Sequence, residues 1–282
     1  MEKSTTQYID SHDTFNFAKE AKILALKLVN RANSSHIGGS LSIADVLAVL
    51  FNGVLKLDPK NPKSPERDFL IYSKAHCSSI YYAVLGLKNF FSTELLEDFC
   101  KEGSIFTEHI NCRVPGVEYG GGSLGHGLPV ACGIALAIKK QGKSNQVYCI
   151  VSDGEMEEGS TWEAILFASQ QNLSNLTLII DFNKIQALGK VVDILNLENI
   201  ENKFQSFGWE CLRIDGHNHK EIIGAFQRSH SELKPLAIVC DTIKGKGVSF
   251  MENNLKYHYS SPNEEELKSA IKEIENETYI YK

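Results

Sequence analysis

The stretch that decides the fold is Val147-Tyr-Cys-Ile-Val-Ser-Asp-Gly-Glu155, followed further along by Leu176-Thr-Leu-Ile-Ile-Asp-Phe-Asn183. Each part begins with a short, continuously apolar run, which is typical of a strand buried on both faces of a parallel sheet. The segment between them, from about Glu157 to Gln171, is predicted to be a helix. Together they predict a βαβ unit, in which a right-handed crossover places two parallel strands in one sheet.

Elements of the same two kinds alternate on either side of this unit. Phe69-Leu-Ile-Tyr72 and Leu236-Ala-Ile-Val-Cys240 are two more apolar runs of strand length, and helical patterns cover residues 17–28, 43–51, 78–91 and 128–140. We therefore expect the α/β class, with a mostly parallel sheet flanked by helices on both faces. No linker divides the chain, so residues 1–282 are predicted to form a single domain with a core of about 15–275. Ser261-Pro-Asn-Glu264 has the spacing of a capping box, which predicts a last helix with Pro262 at its first position.

Composition limits the classes of function. The 282 residues are 43% hydrophobic, which suits a globular protein, and 29 Lys plus Arg against 35 Asp plus Glu give a net charge of −6. Because there is no overall positive field, we expect neither nucleic acid nor a membrane surface as a partner. The seven cysteines include no Cys-x-x-Cys pair, and no apolar run is long enough for export or membrane spanning. We expect a cytoplasmic protein.

Asp153 and Asn183 each follow a predicted strand. Because the carboxyl ends of parallel strands meet at one edge of a sheet, we expect the two side-chain oxygens to converge there. A carboxylate and an amide oxygen beside a helix N-terminus suit a hard divalent cation such as Mg²⁺, with phosphate oxygens and water as further ligands. The residues alone leave open the simpler alternative of a turn at Asp153-Gly154 and an ordinary strand end at Asn183.

This pair of residues also carries a family resemblance. Ser152-Asp-Gly154 with Asn183 resembles the Gly-Asp-Gly…Asn motif of the transketolases, which use thiamine diphosphate, with Ser152 in place of the first glycine. The chain is similar to their N-terminal, diphosphate-binding half over roughly residues 15–275. The resemblance implies thiamine diphosphate as cofactor and Mg²⁺, or Ca²⁺, as the metal. It implies three metal ligands, which are Asp153, Asn183 and the carbonyl of Ile185.

Four histidines occur in segments that resemble segments of the same family. They are His36 in Ser-Ser-His-Ile-Gly, similar to Ser-Gly-His-Pro-Gly, His76 in Ser-Lys-Ala-His, His109 before Pro-Gly-Val-Glu118, and His258 after Met-Glu-Asn-Asn. Imidazoles titrate near neutral pH and can exchange protons with sugar hydroxyls, although any one of them alone can be an ordinary hydrogen-bonded histidine. The resemblance implies that His36 and His109 contact substrate hydroxyls or the carbonyl. It also implies that His76 lies near the diphosphate and the reacting carbon, and that His258 assists proton transfer.

The glycine-rich segment 115–127 resembles a transketolase loop that approaches the cofactor closely. The resemblance implies that Gly122 and Leu124 line the thiamine site, and that Gly154 and Glu155 lie against the diphosphate. A tight loop before a helix is the alternative for the glycines. Lys244, in Lys-Gly-Lys-Gly247, resembles a family segment near the active site, although a solvated turn explains it equally well.

Glu158 resembles a family glutamate that joins an acidic network across the subunit interface, and we count it among the candidate catalytic residues. The alternative is that Glu158 only complements the positive end of the following helix. Gly121, His126 and Tyr259 depart from the family pattern, which has Thr, Gln and Gly at these places. These departures suggest a specialised sugar pathway, and they leave the substrate open.

The resemblance covers only the first half of a transketolase. The second half binds the aminopyrimidine ring and supplies an activating glutamate, so the resemblance implies an α2β2 heterotetramer with a companion C-terminal subunit. It implies transfer of a two-carbon ketol unit from a ketose, or ketose phosphate, to an aldose. Three alternatives stay open, which are a 1-deoxyxylulose-phosphate synthase, the α chain of a 2-oxo acid dehydrogenase, and a non-catalytic regulatory paralogue.

Overall fold

A five-stranded parallel sheet forms the centre of the protein. In the computed structural model, which describes residues 8–228 and 233–279, the strand order is β1-β2-β3-β7-β6. The strands are β1 (Phe69–Tyr72), β2 (Val147–Ser152), β3 (Leu176–Phe182), β6 (Glu210–Asp215) and β7 (Leu236–Asp241). Two short strands outside this sheet, β4 (Ile185–Gln186) and β5 (Gly189–Lys190), form an antiparallel pair. All four strand pairings of the main sheet are parallel, as predicted.

Helices precede, connect and follow the strands. They are α1 (Ser11–Ala32), α2 (Ile37–Ser42), α3 (Ala44–Val49), α4 (Ser78–Leu87), α5 (Gly127–Lys140), α6 (Gly159–Gln170), α7 (Val191–Ile194), α8 (Ile200–Ser206), α9 (His219–Gln227), α10 (Lys256–Tyr259) and α11 (Glu264–Asn276). A π-helical turn spans Leu50–Val54, and 3₁₀ turns span Ala75–Cys77, Thr93–Asp98 and Gly154–Glu157. Within the described residues, no helix is both long enough and apolar enough to cross a membrane.

The sheet separates two hydrophobic cores. Successive strand residues point to opposite faces, so Ile150 and Ile179 pack with α1, α3 and α4, whereas Cys149 and Leu178 pack with α5 and α6. All four side chains are fully buried. Burial on both faces explains why the central strands are continuously apolar in sequence. The predicted parallel sheet with helices on both faces is confirmed.

Some local predictions were wrong. β6 and α9 were not predicted, because β6 is a half-buried edge strand whose apolar residues alternate with polar ones. The last helix begins at Glu264, with Asn263 as its N-cap, and its capping box joins Asn263 to Glu266. Ser261 instead donates to Asn33 Oδ1 at 2.7 Å. The helix after Asp153 begins only at Gly159, because a 3₁₀ turn comes first.

Candidate active site

The two residues that close β2 and β3 lie at the carboxyl edge of the sheet, as the sequence predicted. Asp153 Oδ1 accepts from Gly154 N at 2.8 Å, and Asp153 Oδ2 accepts from Lys184 N at 2.6 Å. Asn183 Oδ1 accepts from Ile185 N at 3.2 Å. Each of these oxygens keeps a lone pair for a further partner. Asp153, Asn183 and Ile185 all line one cavity of about 230 Å³.

The carboxyl group of Asp153 is buried with little compensating charge. Its exposed fraction is 1%. Burial, together with the nearby charge of Asp181, raises the pKa of Asp153 to about 6, against the lowering effect of its backbone hydrogen bonds. Such a group gains from a cation that binds it directly. Oxygen donors on a buried carboxylate, an amide and a backbone carbonyl match the preference of Mg²⁺, so the residues fit the implied metal.

The four predicted histidines come together from four separate segments. The ring centroid of His36 lies 5.1 Å from that of His76, 6.2 Å from that of His109 and 4.9 Å from that of His258. All four line the cavity that Asp153 lines. His36 occupies a left-handed conformation at φ 66° before α2, and its backbone N–H donates to the carbonyl of His258 at 2.9 Å. The cluster therefore joins the N-terminal and C-terminal parts of the chain.

Three of these imidazoles are neutral near pH 7. Burial lowers the pKa of His36 to about 4 and, with the adjacent Lys244, that of His258 to about 3. Burial and Lys74 lower the pKa of His76 well below its usual range. A neutral imidazole has one N–H donor and one bare nitrogen. The cluster can therefore donate and accept hydrogen bonds without adding fixed positive charge.

Two buried lysines line the cavity next to the histidines. The ammonium of Lys244 donates to the carbonyl of Ile185 and to His258 Nδ1, each at 3.0 Å, and burial lowers the pKa of Lys244. Lys74 forms an ion pair with the carboxylate of Asp181 and donates to Gly39 O at 2.8 Å. Burial opposes the charge of Lys74, but Asp181 outweighs it and raises the pKa of Lys74. These cations would suit an anionic group such as a diphosphate.

Most of the predicted site residues line this cavity, and two do not. Those that do are His36, His76, His109, Gly122, Leu124, Asp153, Gly154, Asn183, Ile185, Lys244 and His258. Glu155 is fully buried beneath the glycine-rich loop, where its Oε1 accepts from Ser73 Oγ and from Gly125 N. Glu158 is exposed, outside the cavity. Glu155 thus ties the loop to the end of β2.

The sequence analysis missed several residues of the site. Lys74, Gln186 and Ala187 also line the cavity, and Asp181 lies beneath it as the partner of Lys74. Asp181 looked like one more residue of an apolar strand, and its role depends on side chains distant in sequence. A charged residue within a buried strand was the available signal, because such a group is almost never buried unless it is paired.

Comparison with known proteins agrees with this arrangement. The family described as "Transketolase, thiamine diphosphate binding domain" matches residues 14–278. The 6-deoxy-6-sulfo-D-fructose transketolase subunit SqwG of Clostridium sp. (strain MSTE9) is 40% identical over 273 residues, which cover 96% of this chain and 98% of that protein. One of the two subunits of the apulose-4-phosphate transketolase of Phocaeicola vulgatus is 36% identical over 250 residues, 88% of this chain and 89% of that protein.

Solved structures give the same result. The transketolase of Campylobacter jejuni superimposes with a TM-score of 0.86 at 33% identity, covering 94% of this chain. The match covers only 42% of the C. jejuni chain. This chain therefore spans less than half the length of that solved relative, whereas it spans nearly the whole of the two subunits named above.

Proposed function

The chain belongs to the transketolase family as its N-terminal, thiamine-diphosphate-binding part, and on that premise we propose that it forms half of a ketol-transfer site completed by a second chain. The reaction moves a two-carbon ketol unit from a ketose to an aldose. The observation that carries this proposal is the meeting of Asp153, Asn183 and four histidines in one cavity at the carboxyl edge of the sheet. When bound, thiamine diphosphate supplies the carbon that receives the ketol unit.

Asp153, Asn183 and the carbonyl of Ile185 hold Mg²⁺, or Ca²⁺, and through it the diphosphate. The buried, poorly compensated carboxyl of Asp153 supports this assignment. Lys244 lies on the carbonyl of Ile185, where it can move to a diphosphate oxygen once a cation takes its place. Gly122, Leu124 and Gly154 form the walls against which the cofactor packs, and Glu155 supports the loop behind them.

The histidines bind the substrate and move its protons. His36 and His109 bind substrate hydroxyls or the carbonyl, His76 lies toward the diphosphate and the reacting carbon, and His258 assists proton transfer. The depressed pKa values of His36 and His258 support these roles, since neutral imidazoles accept protons from hydroxyl groups. Lys244 donates to His258 Nδ1, which leaves the proton of that ring on Nε2.

A companion chain carrying the pyrimidine-binding half covers the cavity, and the assembly is an α2β2 heterotetramer. Apolar side chains next to the cavity support a partner there. Leu188 is 79% exposed, Val192 61% and Leu195 53%, in the segment that follows cavity residues Ile185–Ala187. Such a cluster of exposed apolar residues typically marks an interaction surface.

A second exposed surface supports the heterotetramer. Leu166 and Phe167 on α6 are 55% and 42% exposed, and Glu158 lies just before the same helix. Glu158 takes part in an acidic network across this interface.

The donor is a ketose or ketose phosphate of a specialised sugar pathway. The two subunits of similar length are named for a sulfo-sugar and a sugar phosphate, so a modified ketose is the class to test first. The departures from the family pattern lie close to the cavity, which supports this choice. His126 contacts Leu124 O at 3.1 Å, and Tyr259 donates to Ala187 O at 2.7 Å.

The compartment is the cytoplasm. All seven cysteines are free, and Cys100 and Cys112 are exposed. Exposed free thiols persist in a reducing compartment.

The test is ketol transfer by this chain together with a chain that carries the pyrimidine-binding half. Each chain alone and the pair are assayed with thiamine diphosphate, Mg²⁺, an aldose acceptor and one of three donors, which are xylulose phosphate, a sulfo-ketose or pyruvate. We expect ketol transfer by the pair with a sugar donor, and none by either chain alone. Turnover with pyruvate but with no sugar donor would refute the proposal in favour of a 2-oxo acid enzyme.

A further inference from the structure

A chain of hydrogen bonds leads from the rim of the cavity to His36. Ser35 Oγ lies 2.6 Å from Glu108 Oε1 and 2.6 Å from His36 Nδ1, and Ser35 N donates to the same carboxylate oxygen at 3.0 Å. The backbone carbonyl of Glu108 accepts from Ser78 Oγ at 2.6 Å. Three segments distant in sequence therefore fix the geometry at Nδ1 of His36.

The direction of each bond follows from counting protons. Burial opposes the charge of Glu108, but the hydrogen bonds from Ser35 outweigh it and lower the pKa of the carboxyl. An ionised carboxylate only accepts, so the single hydroxyl proton of Ser35 goes to Glu108. Ser35 Oγ can then only accept from His36, which places the ring proton on Nδ1. Because the ring is neutral, its Nε2 carries no proton.

We propose that Glu108 and Ser35 are positioning residues that hold His36 as its Nδ1–H tautomer, so that Nε2 serves as the proton acceptor for a substrate hydroxyl in the cavity. This inference rests on the proposed function and adds a cause to the role of His36. The transketolase segment that resembles this one has glycine in place of Ser35, so the hydroxyl link is not part of that motif. A glycine there would leave Nδ1 without this acceptor.

The other groups around His36 do not provide an equivalent acceptor. The titratable groups that face it are Glu108 and His109 from the loop, His76 and Cys77 from the 3₁₀ turn, and Lys244 and His258 from the C-terminal segment. Glu108 is the one carboxylate in this set. The thiol of Cys77 contacts the backbone carbonyl of His36 at 4.0 Å, and does not contact its ring nitrogens in the described part of the chain.

The test reads the tautomer directly. The full chain, labelled with ¹⁵N in its histidines and free of cofactor and substrate, is studied at pH 7.5 by two-bond ¹H–¹⁵N spectra, with His36 assigned from a His36→Gln sample. We expect a protonated Nδ1 and a bare Nε2. Ser35→Ala removes only the hydroxyl and should produce the Nε2–H tautomer, whereas Ser35→Thr should keep the original one.

Substitutions of Glu108 give an independent second test. Glu108→Gln keeps an acceptor oxygen and should preserve the Nδ1–H tautomer. Glu108→Ala frees the hydroxyl of Ser35 to donate to the ring and should lose it. An Nε2–H tautomer in the unaltered chain, or the same tautomer in all four variants, would overturn the proposal.

Kinetics with the companion chain separate positioning from a merely structural role. Ser35→Ala should lower kcat about 10-fold to 100-fold while KM stays within about threefold, and Ser35→Thr should restore kcat. An equal kcat in Ser35→Ala would overturn the proposal. The spectra need no turnover, so a pair that transfers no ketol unit refutes the proposed function while the tautomer result still stands or falls by itself.

Discussion

Asp153 is the residue on which the site depends most. Its carboxyl is buried among groups that stabilise the ionised form only in part, which raises its pKa to about 6. A protein keeps such a group at a cost in stability, and perturbed carboxyls of this kind concentrate at functional sites. A divalent cation bound to the carboxylate would offset that cost.

The raised pKa of Asp153 predicts how metal binding depends on pH. A cation binds the ionised carboxylate and competes with its proton, so the affinity for Mg²⁺ in the presence of thiamine diphosphate should be constant above pH 6. It should fall by about tenfold per pH unit below pH 6. His36 and His258, with pKa values of about 4 and 3, stay neutral in this window.

Titration calorimetry between pH 5 and 7.5 checks this prediction. Asp153→Asn is the matched variant, because it keeps the shape of the side chain and removes the titration. It should bind the metal more weakly and without the loss below pH 6. An equally steep loss in Asp153→Asn would show that another group controls the pH dependence.

His36 and His109 are expected to act on the substrate and not on the cofactor. His36→Ala or His109→Ala should lower turnover about 100-fold, the range for loss of a general acid or base, and leave the affinity for thiamine diphosphate within about threefold. His12→Ala is the control, because His12 is exposed on α1 and contacts Asn16. Unchanged turnover in both variants would rule out the assigned roles.

At the scale of elements, α11 shows what its start signal is. Asn263 Oδ1 accepts from the backbone N–H groups of Glu265 and Glu266, and Glu266 returns a bond to Asn263 N. Asn263→Ala should therefore lower the free energy of unfolding by about 1 kcal/mol. Ser261→Ala should change it by less than about 0.5 kcal/mol. Urea denaturation of both variants tests this, and a larger loss in Ser261→Ala would support the original prediction from the sequence.

The central strands could be predicted from sequence because both of their faces are buried. The apolar runs of β2 and β3 announce parallel strands, and parallel strands bring Asp153 and Asn183 to one edge without further information. β6 could not be recognised in the same way, since Arg213 and its neighbours alternate with apolar residues on a half-buried edge. The resemblance to transketolases is confirmed, and the assigned residue roles remain predictions.

The contacts that join distant segments could not be predicted. Nothing in the local sequence pairs Ser35 with Glu108, or Lys74 with Asp181, because each contact forms only when α2, the 3₁₀ turn and the loop before α5 pack together. Sequence motifs therefore identified the groups that point into the cavity. They did not identify the groups that hold those residues in place.

At the scale of the whole molecule, the exposed segment around Leu188 predicts that cofactor binding depends on a partner. This chain alone should bind thiamine diphosphate with Mg²⁺ at least about tenfold more weakly than the pair does, because the companion chain closes the cavity and contributes its own contacts. Calorimetry with and without the companion chain measures the difference. Leu188→Asp should weaken binding of the companion chain and leave cofactor binding by the isolated chain unchanged, and equal affinities alone and in the pair would contradict the prediction.

The central claim is that Asp153, Asn183 and the carbonyl of Ile185 together hold the divalent cation that binds the diphosphate. A crystal structure of the two-chain complex with thiamine diphosphate and Mn²⁺ in place of Mg²⁺ tests it most directly, since the anomalous signal locates the metal. We predict one peak within about 2.2 Å of an oxygen of each of the three residues. A metal bound by other residues, or Asp153 and Asn183 pointing away from each other around an ordered cofactor, would contradict the account.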